Sequence, residues 1–227
     1  METNRLQLLR NAWIVFQKDV QLEFRSRYAV NAIFLFAVTT LVVVSFSIGG
    51  GRLAPGLSAS LLWIILFFSA MSGLAHIFIR EEEQQTADTL RMLTQSNAVF
   101  LGKWFFNMIL LFGLEVFILP MFIIFMNVGQ VQYLNLLSVI FLGSIGLSTV
   151  ATLIAAIISR ASSKGALFAV LSFPVSITIL VSAIRGTQTA FQDSAFSDCF
   201  ADLQILFSFS VVMFTVAVLL FEFIWRN

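Results

Sequence analysis

Few residues in this chain are suited to chemistry, and most of them gather in one place. Arg80-Glu81-Glu82-Glu83 interrupts a long apolar stretch, and Thr86, Asp88, Leu90 and Leu93 follow closely. Acids at 81–83 suit the first turn of a helix, where they face its positive end. Thr86, Leu90 and Leu93 then fall on one side, with Met92 nearby. Two readings stand for the segment 80–98. It is a short amphipathic coupling helix that fits a groove on a soluble partner, or it is a solvated turn whose charges keep two spans from sliding into lipid.

The remaining candidates are isolated. Glu115 is the one acid deep inside an apolar run, which makes it a functional candidate by default. A proton-coupled carrier needs a relay, and no second deep acid or base accompanies it. Glu115 is therefore read as a hydrogen-bonded structural group or as part of a conformational change. His76 is the single histidine, so bis-histidine haem ligation is disfavoured, and a packing role near the end of the second span is expected. Cys199 is the single cysteine, which excludes an internal disulfide framework or a thiolate metal cluster. It reads as a loop residue. No GxxxxGK[ST] stretch exists, so no P-loop hydrolyses nucleotide here. Gly49-Gly50-Gly51 reads as a flexible turn.

The elements that position these residues follow from composition. The chain has 227 residues, 59% hydrophobic, 11% charged, with 26 Phe. Soluble domains carry about 25% charge, so most of this chain faces lipid or other buried helices. A net charge of +1 argues against nucleic acid as a partner. A membrane helix needs about 20 mostly apolar residues. Six segments qualify: Tyr28–Ile48, Gly56–Ile79, Phe100–Val128, Leu134–Ser159, Gly165–Ile184 and Leu203–Ile224. The third contains Glu115 and Pro120, and a tilt or a kink at Pro120 is expected. Pro174 lies inside the fifth. The expected organisation is one all-α transmembrane domain over 1–227. It has a cytoplasmic interfacial helix (1–27), a cytoplasmic segment (80–98) and an outer loop (185–202). Residues 1–27 hold five basic residues and no continuous apolar run. The first span is thus expected to act as an uncleaved anchor.

Orientation follows from basic residues, which concentrate on the cytoplasmic side. With the N-terminus inside, Arg5, Arg10, Lys18, Arg25, Arg27, Arg80, Arg91, Lys103, Arg160, Lys164 and Arg226 are inside, and only Arg52 and Arg185 are outside. Both termini are therefore expected in the cytoplasm.

Before the first span, Leu9, Trp13, Phe16, Val20 and Phe24 recur at steps of three or four, one apolar stripe on a helix. A basic amphipathic helix in this position lies flat at the interface. It is a plain anchor or an elbow that also braces a partner. In the fourth span Gly143, Ser144, Gly146, Ser148, Ala151, Thr152 and Ala155 form a small-residue packing face, which can serve within the chain or against a second copy. Glu222, one turn before Arg226 and beside Trp225, reads as an interfacial ion pair with an aromatic anchor.

Phe78-Ile-Arg80-Glu81-Glu-Glu83-Gln-Gln-Thr86-Ala-Asp88-Thr-Leu90 resembles the signature F-x-R-E-x-E-x-G-T-L-D-x-L of the haem exporter protein B (CcmB) family. Leu53-Ala54-Pro55-Gly56 with Leu62-Trp63-Ile64-Ile65-Leu66-Phe67 is similar to the start of that family's second span. Gly102-Lys103 is similar to the entry to its third. Gly143-Ser-Ile-Gly146, Thr152-Leu-Ile-Ala155-Ala156 and Leu171-Ser-Phe-Pro174 resemble its fourth and fifth. The blocks cover nearly the whole chain in order. Gln85 stands where the family has glycine, Ala87 where it has leucine, and Thr94 where proline is common; a less sharp turn is expected.

The resemblance implies a non-catalytic, ABC-2-like permease subunit of the cytochrome c maturation complex in a bacterial inner membrane. It implies pairing with a second copy and with two copies of an ATP-binding subunit that holds the ATP. A haem-handling membrane subunit and, indirectly, a periplasmic haem chaperone are the further partners. The resemblance implies coupling of ATP hydrolysis either to export of haem, a possible cargo of the complex, or to release of the haem-loaded chaperone; no cofactor or metal is expected to be firmly bound by this chain. Arg80, Glu81, Glu82, Glu83, Thr86, Asp88, Leu90 and Leu93 are then the coupling residues. Glu115 is the intramembrane candidate, and Gly143, Ser144, Gly146, Ser148 and Pro174 are packing residues. The rivals are an ABC-2 permease for lipid, polysaccharide or drug, and a self-contained carrier using Glu115.

Overall fold

The computed structural model describes residues 2–159, 164–192 and 194–226, with side chains for all of these except 2–5, 164–166, 169 and 226. The described residues are all-helical, with no strand. Nine helices follow in chain order: α1 (Glu2–Ser26), α2 (Tyr28–Ile48), α3 (Pro55–Gly73), α4 (His76–Glu83), α5 (Ala87–Leu93), α6 (Ser96–Phe125), α7 (Tyr133–Ile158), α8 (Lys164–Ala190) and α9 (Phe196–Arg226). Six stretches are long and apolar enough to cross a membrane, α3 and α4 together forming the second.

α7 runs through the middle of the bundle, and 78% of its apolar window is buried. Its small residues explain that position. A Cβ on Gly143 would lie 2.4 Å from the Trp63 ring, and one on Gly146 2.8 Å from Ser210 Oγ. The face open to two readings therefore packs within the chain, α7 lying against α6, α8 and α9. Trp63, fully buried on α3, also donates its indole N–H to Thr187 Oγ1 of α8 at 2.9 Å. α2 and α9 lie at the periphery, each with 22% of its window buried. The large apolar side chains they expose, such as Phe46 and Phe223, suit a lipid surround.

Several helix ends differ from the hydropathy reading. α8 continues to Ala190 and α9 begins at Phe196, so the outer loop expected at 185–202 shrinks to 191–195. Hydropathy marks what lipid covers, whereas Arg185, Gln188, Asp198 and Asp202 extend the helices beyond it. Cys199 is consequently buried in α9 against the Gly186 carbonyl rather than placed in a loop. α6 runs unbroken through Pro120. Pro174, expected on a packing face, is exposed on α8. The Glu222–Arg226 pair rests on a side chain outside the described residues.

Three sharp corners use non-glycine residues in the left-handed region: Arg27 between α1 and α2, Gln85 between α4 and α5, and Asn127 after α6. Gln85, at φ 55°, adopts the conformation that glycine takes most easily. The chain turns sharply here without the glycine, contrary to expectation. Ala87, in the leucine position, is buried at the start of α5.

Candidate functional site

The charged break forms one corner of a three-helix junction. α1 turns Ala12, Val15, Asp19 and Glu23 towards the bundle, a stripe stepping by three, four and four. The louder apolar stripe lies on the adjacent face: Phe16 and Val20 still pack against the core, while Leu9, Trp13 and Phe24 are more than half exposed, as a helix lying in an interface requires. α1 meets α6 at Gly102. A Cβ there would stand 2.7 Å from the Ala12 carbonyl oxygen and 2.8 Å from Val15. The missing side chain is what lets the two helices touch.

That approach delivers Lys103 into the junction. Its ammonium group is fully buried. It lies 2.9 Å from Glu81 Oε1 and 3.5 Å from Asp19 Oδ2, and it donates to the Ile77 carbonyl at 3.2 Å. An ammonium has three protons, and three acceptors meet them. The Phe78 ring lies 4.7 Å from the same nitrogen, a cation–π contact. Lys18 reaches in from α1, pairing with Glu81 and, at 3.2 Å, with Asp19. Burial alone pulls the Lys18 ammonium down; Asp19 and Glu81 outweigh it and hold the group above the ordinary lysine value. Two cations and two carboxylates from α1, α4 and α6 thus form one compact, charge-balanced cluster.

Adjacent contacts extend the junction. Arg80 donates to Leu22 O at 3.4 Å and Ser26 Oγ at 3.2 Å, placing a cation at the carbonyl end of α1. Glu23 accepts the Val30 N–H at 2.9 Å, supplying an acceptor to the first turn of α2. His76 lies ring to ring with Tyr28 at 4.1 Å. Glu82 binds Arg91 Nη2 at 2.6 Å, and Arg91 also binds Asp88 and covers the Trp225 ring at 4.9 Å. α5 is thereby tied to α4 on one side and to α9 on the other. A cleft of about 380 Å3 opens between α1, α4 and α5.

The acids at 81–83 end α4 instead of beginning the coupling helix, which corrects the sequence reading. An acid at a helix C-terminus opposes the macrodipole; Lys18, Lys103 and Arg91 compensate it here. Asp88 takes the first turn of α5. Along α5, Leu90 is half-buried, while Thr86, Asp88, Met92 and Leu93 are exposed. Glu83 is exposed at the end of α4.

Glu115 is far from this junction, on α6 facing α7. It is 2% exposed and accepts a hydrogen bond from Ser144, while its Oε2 has no partner. Trp104–Thr149 and Asn107–Thr152 bonds, at 2.9 and 3.0 Å, join the same two helices. Ser148 is buried and bonds the Ile145 carbonyl of its own helix. Among the described residues no group of three His, Cys, Asp or Glu could hold a metal ion.

Sequence reasoning missed Asp19 and used Lys103 only as an inside charge and as part of a family block. A signal for each was present. Asp19 shares a helical face with Ala12, Val15 and Glu23, and Lys103 is a lone cation at the head of an apolar span.

The CcmB protein family matches residues 10–223, nearly the whole chain. The chain belongs to the CcmB family. No individually curated protein matches it. CcmB membership makes this a multi-pass membrane permease subunit of the haem-exporting ABC transporter of cytochrome c biogenesis, with an ATPase subunit among its partners. In this CcmB chain the signature residues Arg80 and Glu81 converge at the junction with α1 and α6, whereas Glu115 lies one helix face and several turns away.

Proposed function

We propose that this subunit receives the motion of a separate ATP-binding subunit through α5 and passes it to the spans through the α1–α4–α6 junction. The observation that carries this reading is the Lys103 cluster. It ties the elbow helix, the end of the second span and the head of the third into one body beside a short helix that exposes Met92 and Leu93. Exposed apolar side chains on a short helix between spans suit a groove on a soluble partner. The ATPase's rotation then acts on a bistable helix packing, of the kind that switches between discrete arrangements.

In this reading the chain is ABC-2-like, with both termini cytoplasmic in a bacterial inner membrane. It pairs with a second copy and two ATP-binding subunits, which hold the ATP. A haem-handling membrane subunit and a periplasmic haem chaperone complete the assembly. Either haem passes through the complex or force alone does, releasing the loaded chaperone. The basic residues support this orientation, since Arg52 and Arg185 lie at the end of the bundle opposite α1.

The test is a Met92→Glu, Leu93→Glu double variant in the assembled complex. Both residues are exposed, so the fold is expected to keep its thermal stability. Co-purification of the ATP-binding subunit, or ATP turnover linked to haem-loaded chaperone release, is expected to fall at least tenfold. Full assembly with unchanged turnover would remove α5 as the point of entry.

A further inference from the structure

α1 carries an outer surface that the junction leaves unused. Its acids with described side chains, Asp19 and Glu23, are 5% and 7% exposed and turn into the bundle. Arg10 and Arg25 of the same helix are exposed, and so is Arg27 at the corner into α2. None of these three arginines forms an ion pair among the described residues. The helix has sorted its charge by side, with acids inward and arginines outward.

We infer that this outer face and the Arg27 corner bind the head groups of anionic phospholipids in preference to neutral ones. The order of residues around the helix is the first argument. Ala12, Val15, Asp19 and Glu23 mark the bundle side. Next round the helix come Leu6, Leu9, Trp13 and Phe24, all more than half exposed. Beyond them lie Arg10, Gln17, Gln21 and Arg25, spaced by seven, four and four and all exposed. A helix so divided rests its apolar flank on acyl chains and lays its cations along the head groups.

Depth is the second argument. α2, long and apolar enough to cross a membrane, begins at Tyr28, directly after Arg27. Tyr28 and Leu35 are more than half exposed, so the apolar surface runs on from Phe24 into the open side of the span. Arg25 and Arg27 therefore stand where the span leaves the hydrocarbon. Lipid head groups supply the anions at that level, and the attraction grows with each cation at the surface.

Spread selects the occupant. From Arg10 to Arg25 the helix rises about 22 Å, at about 1.5 Å per residue. A single small anion does not bridge that distance, whereas a field of head groups meets both ends. A second copy docked through the same face would set arginine against arginine, with Asp19 and Glu23 buried on the far side of each helix. An anionic leaflet meets no such repulsion and covers the apolar flank at the same time.

This inference uses the coupling reading only to name the leaflet as the cytoplasmic one, and the Met92, Leu93 test stands or falls separately. The chain is reconstituted in bilayers mixing phosphatidylcholine and phosphatidylglycerol, with one or the other brominated on its acyl chains. Bromine quenches nearby tryptophan fluorescence, and the Trp13 signal is taken as the difference from a Trp13→Phe chain. Phosphatidylglycerol is expected to be enriched beside Trp13 by about threefold or more over its bulk share, with the enrichment fading in high salt. Arg10→Gln, Arg25→Gln and Arg27→Gln in one chain should abolish the enrichment, and the three Arg→Lys changes should keep it. Both chains should melt like the parent in detergent, because the arginines are exposed and unpaired. Arg52→Gln with Arg185→Gln, which removes two cations from the opposite end, should leave the enrichment unchanged. Equal quenching by the two lipids would overturn the inference. So would enrichment that survives the triple Gln variant, or that falls as far in the Arg52, Arg185 variant, where net charge alone is altered. Loss of quenching by both lipids in the purified full complex would overturn it too, since a protein subunit would then hold this face.

Discussion

Glu81 and Glu115 are both carboxyl groups withdrawn from water, and the chain treats them differently. Glu81 is surrounded by charge: Lys103 and Lys18 neutralise it and Asp19 balances the second cation. Glu115 has one hydroxyl from Ser144 and apolar walls. The first arrangement is expensive to assemble and expensive to break, because every member depends on the others. It also joins three helices that are distant in sequence. The second joins only α6 and α7, which other polar bonds already hold together. A group that ties three elements suits the transmission of movement, whereas a buried group bonded to one neighbouring helix adds little to what already joins the two.

The largest effect should come from the cation at the centre. Lys103→Met leaves Glu81 and Asp19 buried with only Lys18, which is partly exposed, to compensate them. Removing one partner of a buried pair costs about 3–5 kcal/mol. The expected outcome is a sharp loss of thermal stability in detergent and poor recovery of the chain. Adding Glu81→Gln to Lys103→Met removes much of the stranded charge, so the double variant should be the more stable of the two. If the second change instead adds its full cost to the first, the cluster is not coupled and the contrast with Glu115 collapses.

That contrast was only half legible beforehand. The six spans could be read because a bilayer demands about 20 apolar residues in a row, and composition alone announces them. Their ends could not, because helices such as α8 continue through Arg185 after hydropathy has fallen. Glu81 stood out as a charge in a greasy chain. Its partners did not: Asp19 lies on α1 and Lys103 on α6, and only the folded backbone brings them together. The Leu9-to-Phe24 stripe also drew attention away from the Ala12–Val15–Asp19–Glu23 face beside it. Glu115 was visible as an isolated acid, whereas Ser144 read only as a small packing residue.

A smaller effect is expected at the other carboxyl. Ser144→Ala removes the hydroxyl that Glu115 accepts and leaves the packing of α7 otherwise intact. Hydrogen bonds between membrane helices average about 0.6 kcal/mol. A drop in stability of about 0.6–1 kcal/mol, read by thermal melting in the same detergent, would keep the two sites distinct. A loss as large as that of Lys103→Met would place Glu115 in the same class as Glu81.

The smallest effect tests whether the junction depends on the shape of its turn or on its charges. Gln85 holds φ 55° between α4 and α5, and its side chain is exposed. A non-glycine residue in this region gives up about 1 kcal/mol or more. Glycine would relieve that strain, but loses about 0.5–1 kcal/mol of extra freedom when ordered. Gln85→Gly should therefore leave stability unchanged or raise it by less than about 1 kcal/mol. The Glu81 and Glu82 pairs, both formed from α4 before the turn, should survive, because their partners sit on α1, α5 and α6 and not on the loop. A clear fall in melting temperature would mean that the Gln85 side chain itself holds α5 in place. The sharpness of the corner would then depend on a contact, and the charged cluster would not be sufficient to fix the angle at which α5 is presented.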